Sequence, residues 1–284
     1  MTSSLTTTTV DAADGTALAL HSVGTGPDVV VVHGAMQSGR SQRDLAVLLA
    51  DRFRVHLLDR RGRGASGPLP VPPTQDLAVA DLRAVLDATG ADRVVGISSG
   101  ALIAARAALE DERITRLVLF EPPLPVDGSM RLDLADELVA AVARGDLARA
   151  AAIGMKVAEM GPPWMFGLPL PVLALASRAM LRSPERRRMV EALPEDFAVV
   201  AANADRADDL AAIRASTLLV DGTATRPYLR LAVATLAATI PGATHVELPG
   251  QWHSATQNSD EYGHPELVAP VLASFLTQGA GART

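Results

Sequence analysis

Short runs of β-branched and other apolar residues recur along the chain, and most of them are followed by a helical pattern. The six clearest runs are PDVVVVHG, RVHLLDRRGRG, DRVVGISSG, TRLVLFEPP, STLLVDGTA and THVELPG. Because apolar and polar residues do not alternate within them, these runs fit strands that are buried on both faces. Repeated β-α alternation with short loops predicts a mostly parallel sheet covered by helices on both sides.

One long region interrupts this alternation. Residues 124–212 are helical in pattern, rich in Ala, Met and Leu, and interrupted by the proline-laden stretch GPPWMFGLPLP. Open α/β folds keep their functional sites at the carboxyl edge of the sheet. We therefore predict a core formed by residues 1–123 and 213–284, with residues 124–212 as an inserted all-helical cap over that edge.

Composition narrows the classes of function. The chain has 284 residues, of which 48% are hydrophobic, so it can form a well-buried core. Its net charge is −6 and its arginines are scattered or paired with acids, which argues against a nucleic-acid partner. It has no cysteine and its histidines are isolated from one another, so we expect neither a metal site nor a cofactor.

Targeting and membrane signals are the next feature to consider. The first ten residues, MTSSLTTTTV, lack the basic and apolar regions of a signal peptide. The apolar stretch PPWMFGLPLPVLALAS is short for a membrane span and is broken by prolines. We therefore expect a cytoplasmic protein without membrane contact. The sequence does not specify the oligomeric state, and a homodimer stays open.

The stretch GISSG carries the strongest chemical signal. Residues 96–100 match G-x-S-x-G and lie between a strand run and a helical pattern. In a nucleophile elbow this sharp turn exposes the serine Oγ, and the glycines avoid clashes between strand and helix. We predict Ser98 as the nucleophile and the backbone N–H of Ser99 as an oxyanion donor. The alternative is an ordinary Ser-Gly turn.

A second oxyanion donor is expected from the loop after an earlier strand. HGAM, residues 33–36, follows VVVV, and we predict the N–H of Ala35 as this donor. Met36 beside it is a candidate substrate contact. His33 is interpreted as a structural residue of the loop, because it precedes Ser98 in the chain.

The general base is expected near the C-terminus. His253 follows the run THVEL by a short loop, at the sheet edge where a base can approach Ser98 to about 2.6–3.2 Å. His264 is the alternative. The remaining histidines lie in or beside strand patterns, and we interpret them as structural residues: His21, His56 and His245.

Four motifs together resemble the α/β-hydrolase superfamily along nearly the whole chain: VVVVHGAM, LLDRRGRGASG, GISSG and GQWHS. The resemblance implies an α/β-hydrolase fold of the branch with a serine nucleophile. It does not identify the reaction, because the superfamily includes esterases, lactonases, lyases and receptors. The arginines near Asp59 are interpreted as a loop-stabilising cluster, with an anion site as the alternative.

The acid of the triad is not at the usual position of this superfamily. The residues after TLLVDG, numbers 223–227, contain no carboxylate, although Asp221 lies just before the glycine. Glu121 directly follows RLVLF and therefore ends the neighbouring strand at the same edge. We favour Glu121 and keep Asp221 as the alternative, with Asp260 and Glu261 as more distant ones.

One group within the superfamily, the zearalenone-lactonase type, is similar in detail. It has a Ser-Ser-Gly-Ala elbow, as at residues 98–101, and a glutamate that closes the next strand. The resemblance implies a triad of Ser98, Glu121 and His253. The His-Gly pair in the oxyanion loop departs from that lactonase, so its substrate does not carry over.

The predicted cap is apolar and rich in methionine. Such a lining suits a hydrophobic ester or lactone, and we predict Trp164 and Met165 as substrate contacts. The sequence therefore favours a serine hydrolase that acts through an acyl-enzyme. The alternatives are a variant that cleaves a C–C bond or transfers the acyl group, and a ligand-binding protein with vestigial turnover.

Overall fold

One sheet of eight strands forms the centre of the computed structural model, which describes residues 4–278. The strand order is β1-β2-β4-β3-β5-β6-β7-β8; β2 is antiparallel to both of its neighbours, β1 and β4, and all other neighbouring strands are parallel. The predicted mostly parallel sheet is confirmed. The strands are β1 Thr6–Asp11, β2 Ala17–Val23, β3 Asp28–Val32, β4 Arg54–Leu58, β5 Arg93–Ile97, β6 Arg116–Phe120, β7 Ser216–Gly222 and β8 Thr244–Leu248.

The first two strands, β1 and β2, are absent from the six sequence runs. β1 reads TTTTVD and is mostly exposed, so it lacks the apolar run that marks a buried strand. It lies at the edge of the sheet, where it pairs with β2 alone. An edge strand needs little burial, and its polar sequence therefore gave no periodic signal.

Helices cover both faces of the sheet, as the sequence predicts. One apolar cluster packs α2, α3 and α9 against one face, and a second packs α1 and α10 against the other. β5 and β6 lie in the middle of the sheet and are almost fully buried. These helices are α1 Arg43–Leu49, α2 Gln75–Thr89, α3 Ser99–Glu110, α9 Pro227–Thr239 and α10 Pro265–Thr277.

Between β6 and β7, residues 132–212 form helices and short turns, and this described stretch contains no strand. We call it the helical segment. It has its own apolar cluster, and α8 also packs on α3 of the sheet layer. The boundaries between core and cap stay a prediction. The helices of this segment are α4 Ala135–Ala143, α5 Leu147–Val157, α6 Leu170–Ser177, α7 Pro184–Glu191 and α8 Leu193–Ala202.

The carboxyl ends of β3, β5 and β6 meet at one edge of the sheet, below the helical segment. The loops that leave these strands therefore lie side by side, as open α/β sheets require. Within residues 4–278, the helices fall short of the length and hydropathy that crossing a membrane would take.

Candidate active site

Ser98 lies in a strained turn between β5 and α3. Its backbone has φ 54° and ψ −127°, a conformation that non-glycine residues rarely adopt. A Cβ added to Gly100 would lie 2.3 Å from the carbonyl oxygen of Val32, and one added to Gly96 would lie 2.5 Å from the Cα of Ala101. Strand, turn and helix can therefore pack this closely only because the two flanking residues are glycines.

His253 connects Ser98 to a carboxylate. Its Nε2 is 3.0 Å from the Oγ of Ser98, and its Nδ1 is 2.6 Å from the Oε2 of Glu121. A carboxylate accepts hydrogen bonds, so Nδ1 carries the proton and Nε2 accepts from the serine hydroxyl. The structure thus brings together the three residues that the sequence indicates.

Glu121 is fully buried and is held by two groups besides the histidine. The N–H of Gly222 donates to its Oε1 at 2.9 Å, and the hydroxyl of Thr225 donates to its Oε2 at 2.8 Å. The glutamate itself has φ 43°, which turns its side chain away from the line of β6. The loop after β7, which lacks an acid of its own, therefore supplies hydrogen-bond donors to the acid of β6.

Asp221 has a different partner. It is buried at the end of β7, and its Oδ1 accepts from Nε2 of His245 at 2.8 Å. Burial raises the pKa of Asp221 above its ordinary value, and the hydrogen bond from His245 offsets part of this rise. Among the described hydrogen bonds, Asp221 pairs with His245 and Glu121 pairs with His253.

The other candidates for acid and base lie away from this chain of hydrogen bonds. His264 contacts Glu266 at the surface, with Nδ1 and Oε1 3.3 Å apart. Glu261 is half-buried on the wall of an outer cavity, and burial raises its pKa. Asp260 is exposed in the same short turn.

Both predicted oxyanion donors border the cavity at Ser98. Ala35 and Ser99 line it together with Ser98 and His253. A Cβ on Gly34 would lie 2.7 Å from the Cβ of Ser98, so the loop after β3 runs directly beside the nucleophile. The loop after β3 and the first turn of α3 therefore both border the space next to the Ser98 hydroxyl.

His33 occupies a structural position, as the sequence analysis proposed. It is fully buried, with Nδ1 2.8 Å from the carbonyl oxygen of Gly34, and its Nε2 accepts from the N–H of Arg60 at 3.2 Å. Burial, followed by the charges of Arg60 and Arg63, lowers the pKa of His33 to about 3. It is therefore neutral at physiological pH.

A buried ionic cluster lies directly behind the nucleophile. Arg60 and Arg63, after β4, both contact Glu195 and Asp196 of α8, and all four side chains are at most 4% exposed. The hydroxyl of Ser99 donates to Oδ1 of Asp196 at 2.7 Å. Burial alone would raise the pKa of Asp196, but the two arginines hold it at about 2.

The sequence alone does not indicate which residues are partners in this cluster. Arg60 and Asp196 are 136 residues apart, and no local pattern links them. The arginines near Asp59 also divide among separate partners, since Arg61 pairs with Asp14 and Asp81. Asp59 itself binds His21 and the backbone N–H groups of Gly39 and Ala65, so these residues fix several loops through separate partners.

Three adjacent cavities, which share lining residues, surround the reactive groups. The inner chamber, at Ser98, has a volume of about 80 Å³. The methionine chamber, of about 330 Å³, adjoins it on the side of Ala35, and the outer chamber, of about 570 Å³, adjoins it on the side of His253. Within the described residues, no group of three His, Asp or Glu side chains is arranged to hold a metal ion.

The structure places two of the three predicted substrate contacts at a cavity and the third at the surface. Met36 and Met165 line the methionine chamber. Trp164 is 69% exposed and is not part of the described lining of any of the three chambers. The short turn that carries Trp164 directs its indole to the outer surface. The apolar sequence around it does not indicate this orientation.

Comparison with known proteins agrees with this architecture. A sequence model of the alpha/beta hydrolase family matches residues 29–271. The crystal structure of an alpha/beta hydrolase from Sphaerobacter thermophilus has 36% sequence identity and a TM-score of 0.79, covering 95% of this chain and 100% of that chain. The enol-lactonase from Burkholderia xenovorans has 20% identity and a TM-score of 0.72, covering 95% and 100%, and is similar in fold alone.

A curated relative matches over a shorter stretch. Pimeloyl-[acyl-carrier protein] methyl ester esterase from Chromobacterium violaceum is 43% identical over 103 residues, which are 36% of this chain and 39% of that protein. The chain spans less than half the length of the curated relatives it matches.

Proposed function

Because the chain belongs to the alpha/beta hydrolase family, as its motifs predict, we propose that it is a serine hydrolase that cleaves a carboxylic ester or lactone of a hydrophobic small molecule. One observation carries the proposal. Ser98, His253 and Glu121 form a continuous chain of hydrogen bonds of 3.0 and 2.6 Å next to a cavity. Such an arrangement activates a hydroxyl for attack on a carbonyl carbon.

The proposed reaction has two steps. Ser98 Oγ attacks the carbonyl carbon while Nε2 of His253 takes its proton, and the N–H groups of Ala35 and Ser99 stabilise the oxyanion. The tetrahedral intermediate then expels the alcohol, which takes the proton from His253 and leaves an acyl-enzyme. Water attacks this ester with His253 again as base, and Ser98 is regenerated as the acid product departs.

Glu121 is proposed to orient His253 and to stabilise the imidazolium that forms in each step. Its carboxylate accepts the hydrogen bond from Nδ1 and so fixes the tautomer needed at Nε2. Gly222 and Thr225 support this role, since both donate to the carboxylate. Asp221, the alternative acid, is already paired with His245.

An ester is proposed as the first substrate class to examine, and a lactone as the second. The curated relative named above is a methyl ester esterase, and the apolar lining of the inner chamber favours a hydrophobic substrate. We also propose that residues 124–212 form a cap that shields the acyl-enzyme, and that the protein acts in the cytoplasm on small molecules without nucleic-acid or membrane partners.

Labelling by a fluorophosphonate probe and hydrolysis of p-nitrophenyl acetate and butyrate test this proposal together. The wild type should label and turn over, and Ser98→Ala should lose both signals. Leu175→Trp, an exposed change in α6, controls for effects of substitution itself. A wild type that neither labels nor hydrolyses these esters would contradict the proposal and favour a ligand-binding role.

A further inference from the structure

The three chambers meet at one loop, residues 158–161, which follows α5. Ala158 and Met160 of this loop line all three chambers, and Gly161 lines the methionine and outer chambers. We call residues 158–161 the partition loop. Because the two larger chambers lie on either side of it, the loop divides the space around Ser98 into two arms.

The partition loop is held in place from the sheet side. Arg226, just before α9, donates from Nε to the carbonyl oxygen of Glu159 at 3.0 Å and from Nη2 to that of Gly161. Tyr228 donates its hydroxyl to the carbonyl oxygen of Ala158 at 3.2 Å. Three carbonyl groups of a four-residue loop are thus fixed by one short stretch of the chain, so the division between the chambers is built into the fold.

The proposed chemistry assigns each arm. His253 must give a proton to the leaving alcohol, and it lines the inner and outer chambers. Ala35, whose N–H faces the carbonyl oxygen in the proposed mechanism, lines the inner and methionine chambers. The alcohol part of an ester therefore extends into the outer chamber, and the acyl chain extends away from the histidine into the methionine chamber.

The walls of the chambers differ in chemistry. The methionine chamber is lined mostly by flexible apolar side chains, which adapt to chains of varied shape, and Arg186 is the one charged residue in its described lining. The outer chamber carries charged and aromatic residues beside His253, among them Glu159, Trp252 and Glu261. The five methionines that line the methionine chamber are Met36, Met155, Met160, Met165 and Met180.

Resting on the proposed function, we infer that the partition loop selects esters with an extended apolar acyl chain and a polar alcohol. At about 80 Å³ the inner chamber has room for the reacting ester group but not for a long substituent. The methionine chamber, at about 330 Å³, lies within the range of roughly 300–1,000 Å³ found for ligand pockets. The outer chamber is also large enough, but its wall carries Glu159, Arg226 and Glu261, so the long acyl chain is assigned to the more apolar methionine chamber.

A series of p-nitrophenyl esters from acetate to decanoate tests the inference, with kcat/KM measured for each. For the wild type we expect kcat/KM for decanoate to exceed that for acetate at least tenfold. Met165→Trp fills the methionine chamber and should lower this ratio at least tenfold. Arg226→Met releases the partition loop and should also lower the ratio, because the chambers then merge.

Two controls make the result specific. Leu175→Trp places the same bulky residue on an exposed part of the helical segment and should leave the ratio unchanged. Ala224→Trp, in the outer chamber, should slow esters of bulky alcohols while preserving the preference for long acyl chains. A reversed pattern, in which Ala224→Trp removes the preference for decanoate, would overturn the assignment of the arms.

The failure of this inference differs from that of the proposed function. Phosphonate labelling and turnover of acetate with a flat chain-length profile would remove the inference and keep the serine hydrolase. Absence of labelling and of turnover for every ester would remove both.

Discussion

The neighbouring strands β6 and β7 end in the same motif, a buried carboxylate bonded to a histidine, yet they have different surroundings. At the end of β6, Oε2 of Glu121 lies 2.6 Å from Nδ1 of His253. At the end of β7, Oδ1 of Asp221 lies 2.8 Å from Nε2 of His245. The two pairs are similar in length and chemistry, so the hydrogen bond to the carboxylate alone does not distinguish them.

The two pairs differ in where the imidazole lies and in what it faces. His253 lies in the loop after β8, and its Nε2 faces Ser98 at 3.0 Å. His245 lies within β8, in register with Leu219 of β7, so the strand fixes where its ring is placed. The comparison teaches that a carboxylate–histidine pair becomes a candidate for catalysis only when a loop turns the imidazole toward a nucleophile.

Among changes at the two carboxylate–histidine pairs, Glu121→Gln should cause the largest loss of activity. The amide keeps the shape but favours the wrong imidazole tautomer and cannot stabilise the imidazolium, so kcat should fall by about 10³–10⁴-fold. Hydrolysis of p-nitrophenyl butyrate measures the effect, with circular dichroism to show that the variant is folded. A fall of less than tenfold would mean that Glu121 is not the acid.

A third carboxylate, Asp196, extends the comparison, since its partners are arginines and Ser99. Asp196→Asn leaves Arg60 and Arg63 with one buried carboxylate between them, and we expect a loss of about 3 kcal/mol in the free energy of unfolding. Urea unfolding at pH 7 measures this loss. Asp133→Asn, at an exposed pair with Arg131, is the matched control and should leave the free energy of unfolding nearly unchanged.

Asp196 should also make the free energy of unfolding depend on pH. The pKa of Asp196 is about 2 in the folded protein and ordinarily 3.8, so its ionised form favours folding. This stability is complete above about pH 4 and is lost as the pH falls toward 2, with about 2 kcal/mol at stake. Urea unfolding at pH 4 and pH 2 should show this loss in the wild type and not in Asp196→Asn. An equal loss in both would contradict the role of the arginines.

A smaller effect is expected from Thr225→Val. The change removes one hydrogen bond to the carboxylate of Glu121 and keeps the shape of the side chain, so kcat should fall by about tenfold with KM little changed. Thr225→Ser should restore most of the rate. Thr235→Val, on the exposed face of α9, is the control for loss of a threonine hydroxyl. Equal rates for Thr225→Val and the wild type would show that Gly222 and His253 suffice to hold the glutamate.

The smallest effect on activity is expected from Asp221→Asn, which should keep kcat/KM within about twofold because Asp221 lies outside the proposed proton path. In the wild type, ionisation of Asp221 should change the free energy of unfolding with pH in the direction opposite to that expected for Asp196. Burial raises the pKa of Asp221, so its ionised form is disfavoured by folding, and the wild type should lose stability as the pH rises through that raised pKa. Asp221→Asn should lack this loss in urea unfolding between pH 4 and 7.

Local patterns allowed much of this site to be predicted from the sequence. Ser98 is marked by glycines between a strand and a helix, Glu121 by the end of an apolar run, and His253 by a short loop after the last strand. Each of these three signals comes from residues that are close together in the sequence. Their meeting point follows from the rule that parallel strands end at one edge.

The remainder depends on contacts between distant parts of the chain. Asp196 meets Ser99 across 97 residues, and the partition loop is fixed by Arg226, 65 and 67 residues away from its two acceptors. The outward position of Trp164 depends likewise on how the helical segment packs on the sheet. Neither periodicity nor motif spacing carries this information, because the packing angle of a helical segment is not encoded in any short stretch.

The rate of phosphonylation of Ser98 by a fluorophosphonate tests the central claim most directly, since it needs no knowledge of the natural substrate. The second-order rate constant is measured in parallel for the wild type, Glu121→Gln and Asp221→Asn. The account predicts that Glu121→Gln reacts at least 100 times more slowly than the wild type, while Asp221→Asn stays within about twofold. A slow Asp221→Asn beside a fast Glu121→Gln would contradict it and assign the acid to β7.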